Sequence, residues 1–507
     1  MYEESELKLT LSPEAAAKLA KAKGLKPVKR KKRRLVSTYF DTPRQALHKS
    51  AISLRVRDDG AKKVQTVKAP FDGPAGLQNF REWTAPLDEE AGPTLDFIGD
   101  EKLAYDLARR RCAERLTEQF VTDIDRTTLV LKNRGARFEM AIDRGVIRTC
   151  RNGNSVEEPV CEAELELIKG DPAGMLEVAP ELCETHDVRP VHLTKAERGY
   201  ALVQPALRPQ PVKPPKVILS PEQTVGESFH QIIAGALDHL FRNEIPTLEG
   251  RPEGVHQTRV AMRRLRAAMR AFKKVLPYDK RKAFNGEFRW FQQRLAPARD
   301  WHVFLDETLP QIPAEDPQHR AMVEKLRRIA RAERRRASNE AKDILLSRRY
   351  ARMILQFERW LAVLEADRDR PLFKRPVRDF ARTVLRKTHR DFMAETRPLS
   401  RLPGEDLHEL RKRGKKARYA AEFFSALWTG DDVKPFLKDM EKVQDRFGEA
   451  NDAAVARQIL AMVNPARLDT SIIRLVQDWS DNRIRNRIQR AQPRWRRFRT
   501  EAPFWED

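Results

Sequence analysis

From Gln204 to Lys216 the chain reads QPALRPQPVKPPK, with prolines at 205, 209, 211, 214 and 215. Each proline lacks a backbone N–H and fixes its own φ, so neither a helix nor a central strand can run through this stretch. It reads as a semi-rigid extended connector, and the chain must fold as separate parts on either side of it. The two sides have different periods. Before the connector, segments alternate with period two: ESELKLTL (4–11), SLRVR (53–57), VQTVKA (64–69), RFEMAID (137–143) and CEAELELI (161–168). Asp59-Gly60 and Asn152-Gly153 mark turns between them, and Pro13–Ala22 and Asp100–Leu116 carry helical spacing. This is an antiparallel β pattern with a few helices. After the connector nearly everything is helical, interrupted near Pro246–Pro252, Pro277, Pro310–Pro317 and Pro403-Gly404. The expected division is a β-rich domain over 1–203, a linker over 204–221 and an all-α domain over 222–507.

Charge separates the two sides as well. Of the 507 residues, 1–219 hold 38 Lys+Arg against 33 Asp+Glu, and the remainder holds 60 against 41, giving balances of +5 and +19 within a net charge of +24. A basic second half of that size predicts a polyanionic partner. No apolar run approaches the roughly 18 residues a spanning helix needs, and the start, MYEESELKLT, lacks the cationic-then-apolar pattern of a secretory signal. The four cysteines, Cys112, Cys150, Cys161 and Cys183, have no CxxC spacing and read as reduced thiols. A cytoplasmic location is expected.

Alternate side chains of a strand face opposite ways. Glu4, Glu6 and Lys8 therefore share a face against Leu7 and Leu9, and Arg55 and Arg57 share one against Leu54 and Val56. Thr66 falls with Lys68, and Glu162, Glu164 and Glu166 lie opposite Cys161, Ala163, Leu165 and Leu167. For one strand taken alone, the ordinary reading is a solvated charged face. A sheet curled into a barrel would instead turn these faces into the lumen, where carboxylates suit a hard divalent ion and Lys and Arg suit phosphate oxygens.

The segment Glu4-Ser5-Glu6-Leu7-Lys8 is an ExExK motif. It is followed in order by Tyr39-Phe40-Asp41-Thr42-Pro43, Leu54-Arg55-Val56-Arg57, Thr66-Val67-Lys68, Glu82, Arg126, Ile142-Asp143-Arg144-Gly145, the Glu162/Glu164/Glu166 strand, and Thr194-Lys195-Ala196-Glu197-Arg198-Gly199-Tyr200. In this order the residues resemble the CYTH family of triphosphate tunnel metalloenzymes over nearly all of 1–203. The resemblance implies an eight-stranded antiparallel β tunnel within an α+β domain, hydrolysing a phosphoanhydride with Mg²⁺, or with Mn²⁺. It implies that Glu4, Glu6, Glu162 and Glu164 hold the metal, with the choice among Glu162, Glu164 and Glu166 open. It further implies that Lys8, Arg55, Arg57, Lys68, Arg126 and Lys195 grip phosphates, and that Glu4, Glu6, Lys8, Glu82 and Asp143 serve catalysis, the last two by support or orientation. A triphosphate carries about four negative charges, which such a lumen must neutralise. No Ser-His-Asp or Cys-His set is required, and His48, His186 and His192 read as structural or surface residues. The run KRKKRR (29–34) is more basic than a tunnel wall needs. It reads either as a solvated loop or strand edge, or as an added attraction for anions or nucleic acid.

The helical half is written twice. VHQTRVAMRRLRAAMRAF (255–272) resembles LHELRKRGKKARYAAEFF (407–424) at an offset of 152 residues, and the offset persists to Leu295/Phe447, Ala296/Gly448 and Asp300/Asp452. At about 100° per residue, His256, Arg259, Arg263, Arg266 and Arg270 form one stripe, beside the apolar stripe of Met262, Leu265, Met269, Phe272 and Leu276. His408, Arg411, Lys415 and Arg418 repeat it beside Leu410, Ala417, Ala421 and Phe424. Like charges at such spacing repel by a few tenths of a kcal/mol each. A helix that does this twice is suited to receive an anion, although an ordinary solvated basic face has the same composition. The histidine fits a hydrogen-bonding anchor or a partly protonated ligand, and no second His or Cys at ligand spacing supports a metal.

The motif His256-x2-Arg259-x3-Arg263-Arg264-Leu265-Arg266, with Arg299-Asp300 and the second copy, resembles the CHAD family (conserved histidine α-helical domain) over about 222–507. That resemblance implies two pseudo-symmetric helical bundles and a basic channel for inorganic polyphosphate. His256, Arg259, Arg263, Arg264, Arg266, His408, Arg411, Lys415, Lys416 and Arg418 would line it, with Asp300 and Asp452 orienting the basic side chains. Lysines at 415 and 416 replace the arginines of the first copy and lose their bidentate grip. The combined expectation is a metal-dependent inorganic triphosphatase that binds polyphosphate and can associate with polyphosphate granules. The alternatives are a tunnel acting on thiamine triphosphate or a nucleotide, and a non-catalytic polyphosphate binder. Aromatic residues make up 7% and do not interleave the basic stripe, which argues against nucleic acid.

Overall fold

The computed structural model describes residues 1–21, 25–58, 62–71, 73, 77–88, 91–367, 370–463 and 470–506. The expected Asp59-Gly60 turn lies outside them. The chain divides into two compact units, Met1–Gln210 with Leu346–Asp367, and Pro211–Leu345 with Arg368–Asp507.

The strands of the first unit are β1 (Tyr2–Leu11), β2 (Lys29–Asp41), β3 (Ser53–Asp58), β4 (Lys63–Pro70), β5 (Gln78–Leu87), β6 (Thr117–Asn133), β7 (Ala136–Arg151), β8 (Asn154–Lys169) and β9 (Val188–Pro190). Their order is β5-β4-β3-β2-β6-β7-β8-β1-β9, every pairing is antiparallel, and β5 also pairs with β1 from Tyr2↔Glu82 to Glu6↔Gln78. That last ladder closes β1 to β8 into an eight-stranded tunnel, and β9 adds to the far end of β1. Two turns fix the long β6–β7–β8 meander. Arg134-Gly135 and Asn152-Gly153 each place two consecutive residues at positive φ (43° and 83°, 53° and 78°). This is the two-residue hairpin geometry whose twist matches that of the strands it joins.

Closure decides which face each strand shows to water. The alternation expected from sequence holds, and its apolar side lies outside the tunnel, under helices. Leu7, Leu9, Leu129, Leu131, Met140, Ile142, Ala163 and Leu165 pack with residues of α1 (Pro13–Lys21), α3 (Pro172–Leu176) and α4 (Val178–Thr185). Leu54, Val67, Ala69 and Trp83 pack around Leu107 of α2 (Glu101–Arg109) and Cys112. The charged side turns inward: Glu4, Glu6, Lys8 and Glu162 are at most 6% exposed, and Asp143 is fully buried. The solvated-face reading of the single strands therefore does not hold. The short helix α5 (Lys195–Val203) starts at a reciprocal cap, in which Glu197 N–H donates to Thr194 Oγ1 and Thr194 N–H to Glu197 Oε2.

In the second unit the helices are α6 (Val225–Phe241), α7 (Glu244–Leu248), α8 (Pro252–Ala271), α9 (Tyr278–Arg294), α10 (Ala296–Val303), α11 (Pro317–Leu345), α13 (Val377–Met393), α14 (Gly404–Phe424), α15 (Val433–Met462) and α16 (Thr470–Phe498). Prolines that punctuate the sequence stand at helix starts: Pro252 and Pro317 open α8 and α11, while Pro277 and Pro403 precede α9 and α14. A residue there needs no intrahelical N–H partner, which is where proline costs least. The apolar stripes of α8 and α14 are buried from Met262 to Phe272 and from Leu410 to Phe424. Part of the connector is anchored, with Val212 N–H donating to Asn243 Oδ1 and Val212 O accepting from Asn243 Nδ2.

One helix departs from the division expected at the linker. The helix α12 (Arg348–Ala366) falls between α11 and α13 in sequence but packs in the first unit, where Ala351, Leu355 and Ala362 join the core under β1, β7 and β8. Arg359 Nη2 reaches Glu177 Oε1 at 2.5 Å, and His192 Nε2 lies 3.7 Å from Glu358 Oε1.

Candidate functional site

The tunnel brings Glu4, Glu6, Lys8, Arg55, Arg57, Lys68, Glu82, Arg126, Asp143, Glu162, Glu164 and Lys195 onto one inner surface. At its centre, Lys195 Nζ lies 2.5 Å from Glu162, 2.7 Å from Asp143 and 2.9 Å from Glu164. Lys195 is the first residue of α5, so the Thr194–Glu197 cap fixes where its stem begins. Arg126 forks onto Asp143 with two bonds of 2.6 Å and reaches Glu164 at 2.6 Å. Lys8 Nζ is 2.6 Å from Glu6 and 3.4 Å from Glu164. Lys68 bonds Glu4 and lies 3.2 Å from Glu82, which also stands 4.0 Å from Arg55. Arg57 Nε donates to Ser37 Oγ at 3.2 Å.

Neutralisation is uneven along this surface. Burial opposes the charge of Lys8, Arg126 and Lys195, yet the surrounding carboxylates hold all three above their ordinary values. Burial likewise opposes Glu164, which Lys195, Lys8 and Arg126 hold well below the carboxylate range. At one end carboxylates are in surplus. Burial raises Glu4 with help from Glu6, and burial with Glu4, Glu6 and Glu139 pushes Glu166 up to about 8. At another, cations are in surplus: Arg55, then burial and Arg126, bring Arg57 down to about 9. The first excess suits a hard divalent ion and the second suits phosphate oxygens. Oxygens of Asp143, Glu162 and Glu164 also lie within 4.8 Å of one another. The Lys195 ammonium already stands among those three, and Arg198 contacts Glu162 at 3.2 Å. The acidic surplus thus lies toward Glu4, Glu6 and Glu166.

Several residues quoted within the sequence motifs had no role assigned to them from sequence. Arg198 follows Lys195 by one turn of α5, a helical spacing that could have marked it. It bridges Glu158 at 2.7 Å and Glu162. Asp41 is fully buried and accepts from Thr42 N–H, Leu47 N–H, His48 N–H and the Tyr200 hydroxyl. The YFDTP and ERGY segments are therefore a structural brace. Tyr39 stacks on Phe120 with centroids 4.5 Å apart, and a Cβ on Gly199 would stand 2.2 Å from that ring, so only glycine lets α5 approach.

In the second unit the duplicated stripes come together. Arg263 of α8 donates to the Tyr419 hydroxyl of α14 at 3.2 Å. Arg259 and Arg266 reach α9, at Gln292 O and at Gln292 Oε1 and Asn285 Oδ1. Lys415 is brought down to about 6 by burial, then by Arg411, Arg263 and Arg418. His256 falls to about 3 through burial and the charges of Arg299, Arg263, Arg259 and Lys415, and so is a neutral hydrogen-bonding group near pH 7. Burial lowers Arg259 to about 10 and lowers Arg411, with Asp300 and Asp452 respectively opposing the shift. The two aspartates thus occupy equivalent places in the two copies. Arg264 faces elsewhere, 2.7 Å from Glu422 and over the Phe423 ring. His408 and Lys416 are exposed, unlike the half-buried His256.

Residues 3–200 match the CYTH domain family and residues 231–461 match the CHAD domain family. A protein of Haemophilus influenzae named inorganic triphosphatase is 28% identical over 203 residues, which are 40% of this chain and 55% of that protein. The chain thus aligns with about half the length of that relative. The crystal structure of the CHAD domain from the plant Ricinus communis superposes with a TM-score of 0.50 at 26% identity, covering 58% of this chain and 98% of that one.

Proposed function

Because the chain carries a CYTH domain followed by a CHAD domain, we propose that its tunnel hydrolyses inorganic triphosphate with a divalent ion, Mg²⁺ or Mn²⁺, and that its basic helices bind inorganic polyphosphate. The observation that carries this is the split of one closed inner surface into a carboxylate excess beside Glu4, Glu6 and Glu166 and a cation excess beside Arg55 and Arg57. A substrate that is polyanionic and metal-chelated meets both requirements. The name of the Haemophilus influenzae relative agrees with it.

In this reading Glu4 and Glu6, with two of Glu162, Glu164 and Glu166, hold the ion, and the cations now on Glu162 and Glu164 turn toward the substrate's phosphates. When bound, the ion supplies Lewis acidity toward the phosphoanhydride. Arg55, Arg57, Lys68 and Arg126 orient the phosphoryl oxygens and offset charge that develops on the leaving oxygen. Glu82 aims Lys68 and Arg55, while Asp143 aims Arg126 and Lys195. Lys8 and Lys195, also expected to grip phosphates, offset the repulsion among the carboxylates and give the site a fixed shape before substrate arrives. In the helical unit, the cations crowded around Arg263 and Lys415 exceed their carboxylates, and an anionic chain would relieve that excess. No described helix is long and apolar enough to cross a membrane. The proposal expects a cytoplasmic protein, with polyphosphate granules as one setting.

Phosphate release from tripolyphosphate, ATP, thiamine triphosphate and long-chain polyphosphate tests the reading. Preference for tripolyphosphate supports it, preference for another compound keeps the site and changes its substrate, and no turnover with any divalent ion leaves a binding protein.

A further inference from the structure

The basic run Lys29–Arg34 belongs to neither site. It forms the first half of β2, and all six side chains are exposed. The β2–β6 ladder starts at Lys29↔Val130, whereas the β2–β3 ladder starts only at Val36↔Asp58. Over 29–35, β2 therefore has β6 on one side and no strand on the other among the described residues. Charges on such an edge ordinarily guard against pairing with another chain. That role is indifferent to which face carries them.

Here the faces differ. Odd-numbered residues of β2 point into the tunnel, where Ser37 accepts from Arg57 and Tyr39 bonds Arg55. The same row continues through Leu35 to Arg33, Lys31 and Lys29, and Arg33 is the register partner of Arg126, which grips Asp143 and Glu164. From Arg33, beside Arg126, the row thus carries one cation every two residues, or about 6.8 Å, outward past the end of β3. Even-numbered residues point the other way, and Arg34 among them is held by Asp123 at 2.8 and 2.9 Å. Like charges side by side on one face repel, so the inner row gains from an anion laid along it. From Ser37 out to Lys29 the row contains no aromatic residue on which a base could stack, which disfavours nucleic acid.

We infer that Lys29, Lys31 and Arg33 form a ledge for the tail of a linear polyphosphate whose terminal phosphates occupy the tunnel. This rests on the tunnel being a triphosphate site, and it widens the ligands of that site from tripolyphosphate to longer chains.

The alternation of faces supplies its own control. Full-length Lys29→Ser/Lys31→Ser and Arg30→Ser/Lys32→Ser each remove two exposed charges from one segment. Inhibition of tripolyphosphate turnover by long-chain polyphosphate is measured for both and for the wild type. Calorimetric displacement of bound tripolyphosphate makes the same comparison independent of turnover. The inner pair is expected to weaken polyphosphate by about threefold to tenfold, while tripolyphosphate parameters and the outer pair stay within about twofold of wild type. Equal losses from the two pairs, or none from the inner pair, would overturn the ledge. Absent turnover by the wild type counts against the proposed activity, while the displacement assay still decides the ledge.

Discussion

The tunnel and the helical cluster both gather cations away from water, and they neutralise them in opposite ways. In the tunnel, Lys8, Arg126 and Lys195 meet carboxylates at 2.5–2.9 Å and are held above their ordinary values. In the helical cluster, Arg259, Lys415 and His256 are brought down to about 10, 6 and 3. Buried charge persists only when something pairs it. The tunnel supplies its own pairing and so is shaped before ligand arrives, with local excesses left for a metal and for phosphates. The cluster sets only Asp300 and Asp452 against Arg259, Arg411 and Lys415, and in the proposed reading an anion from outside completes the pairing. Ligand should therefore stabilise the cluster strongly, by mass action on the native state.

Removing one cation from each region should give stability changes of opposite sign. Lys195→Met leaves Asp143, Glu162 and Glu164 facing one another, with an expected loss of about 3–5 kcal/mol and a fall in phosphate release of about a hundredfold or more. Thermal unfolding and turnover assays check both, and an unchanged melting temperature would break the comparison. Lys415→Met should stabilise the ligand-free protein by about 1 kcal/mol near pH 7, because folding no longer has to strip a proton from that amine. It should weaken polyphosphate binding by about tenfold, as read by calorimetry alongside the melt.

The same lysine makes a pH prediction. Lys415 titrates near 6 in the folded protein against 10.5 unfolded. Between those values the unfolded state binds the extra proton, so this residue's contribution to stability rises with pH, and below about 6 the rise is absent. An anion that restores the charge draws a proton in. Polyphosphate binding at pH 8 should take up protons, measurable in buffers of different ionisation enthalpy, and should weaken as pH climbs. The smallest effect concerns α12. Arg359→Ala should cost about 0.5–1 kcal/mol, since its partner Glu177 is close but Arg359 is 38% exposed. Chemical denaturation resolves a loss of that size.

The period-two strands, the hairpin at Asn152-Gly153 and the duplicated basic stripe were legible in the sequence because each depends on local spacing. Whether Glu4, Glu6 and Lys8 faced water or a lumen was not, since that turns on β5 meeting β1 across more than seventy residues. The stripe geometry already set Arg264 about 100° away from Arg263, and the structure gives it a different partner, Glu422. The surplus at Glu166 was hidden because it depends on where Lys195 reaches from another element. The packing of α12 was hidden for a related reason. Helical periodicity marks an apolar face at Ala351, Leu355 and Ala362, but not the surface that covers it.

The central claim is that metal-dependent chemistry and metal-independent anion capture occupy different regions of one chain. The most direct test assays tripolyphosphate turnover and polyphosphate binding in the same samples, wild type and Glu4→Gln/Glu6→Gln, with Mg²⁺ or a chelator. The account predicts that turnover disappears in the variant and under chelation, while polyphosphate binding survives both. Turnover that persists in the variant, or polyphosphate binding that vanishes with the metal, would contradict it.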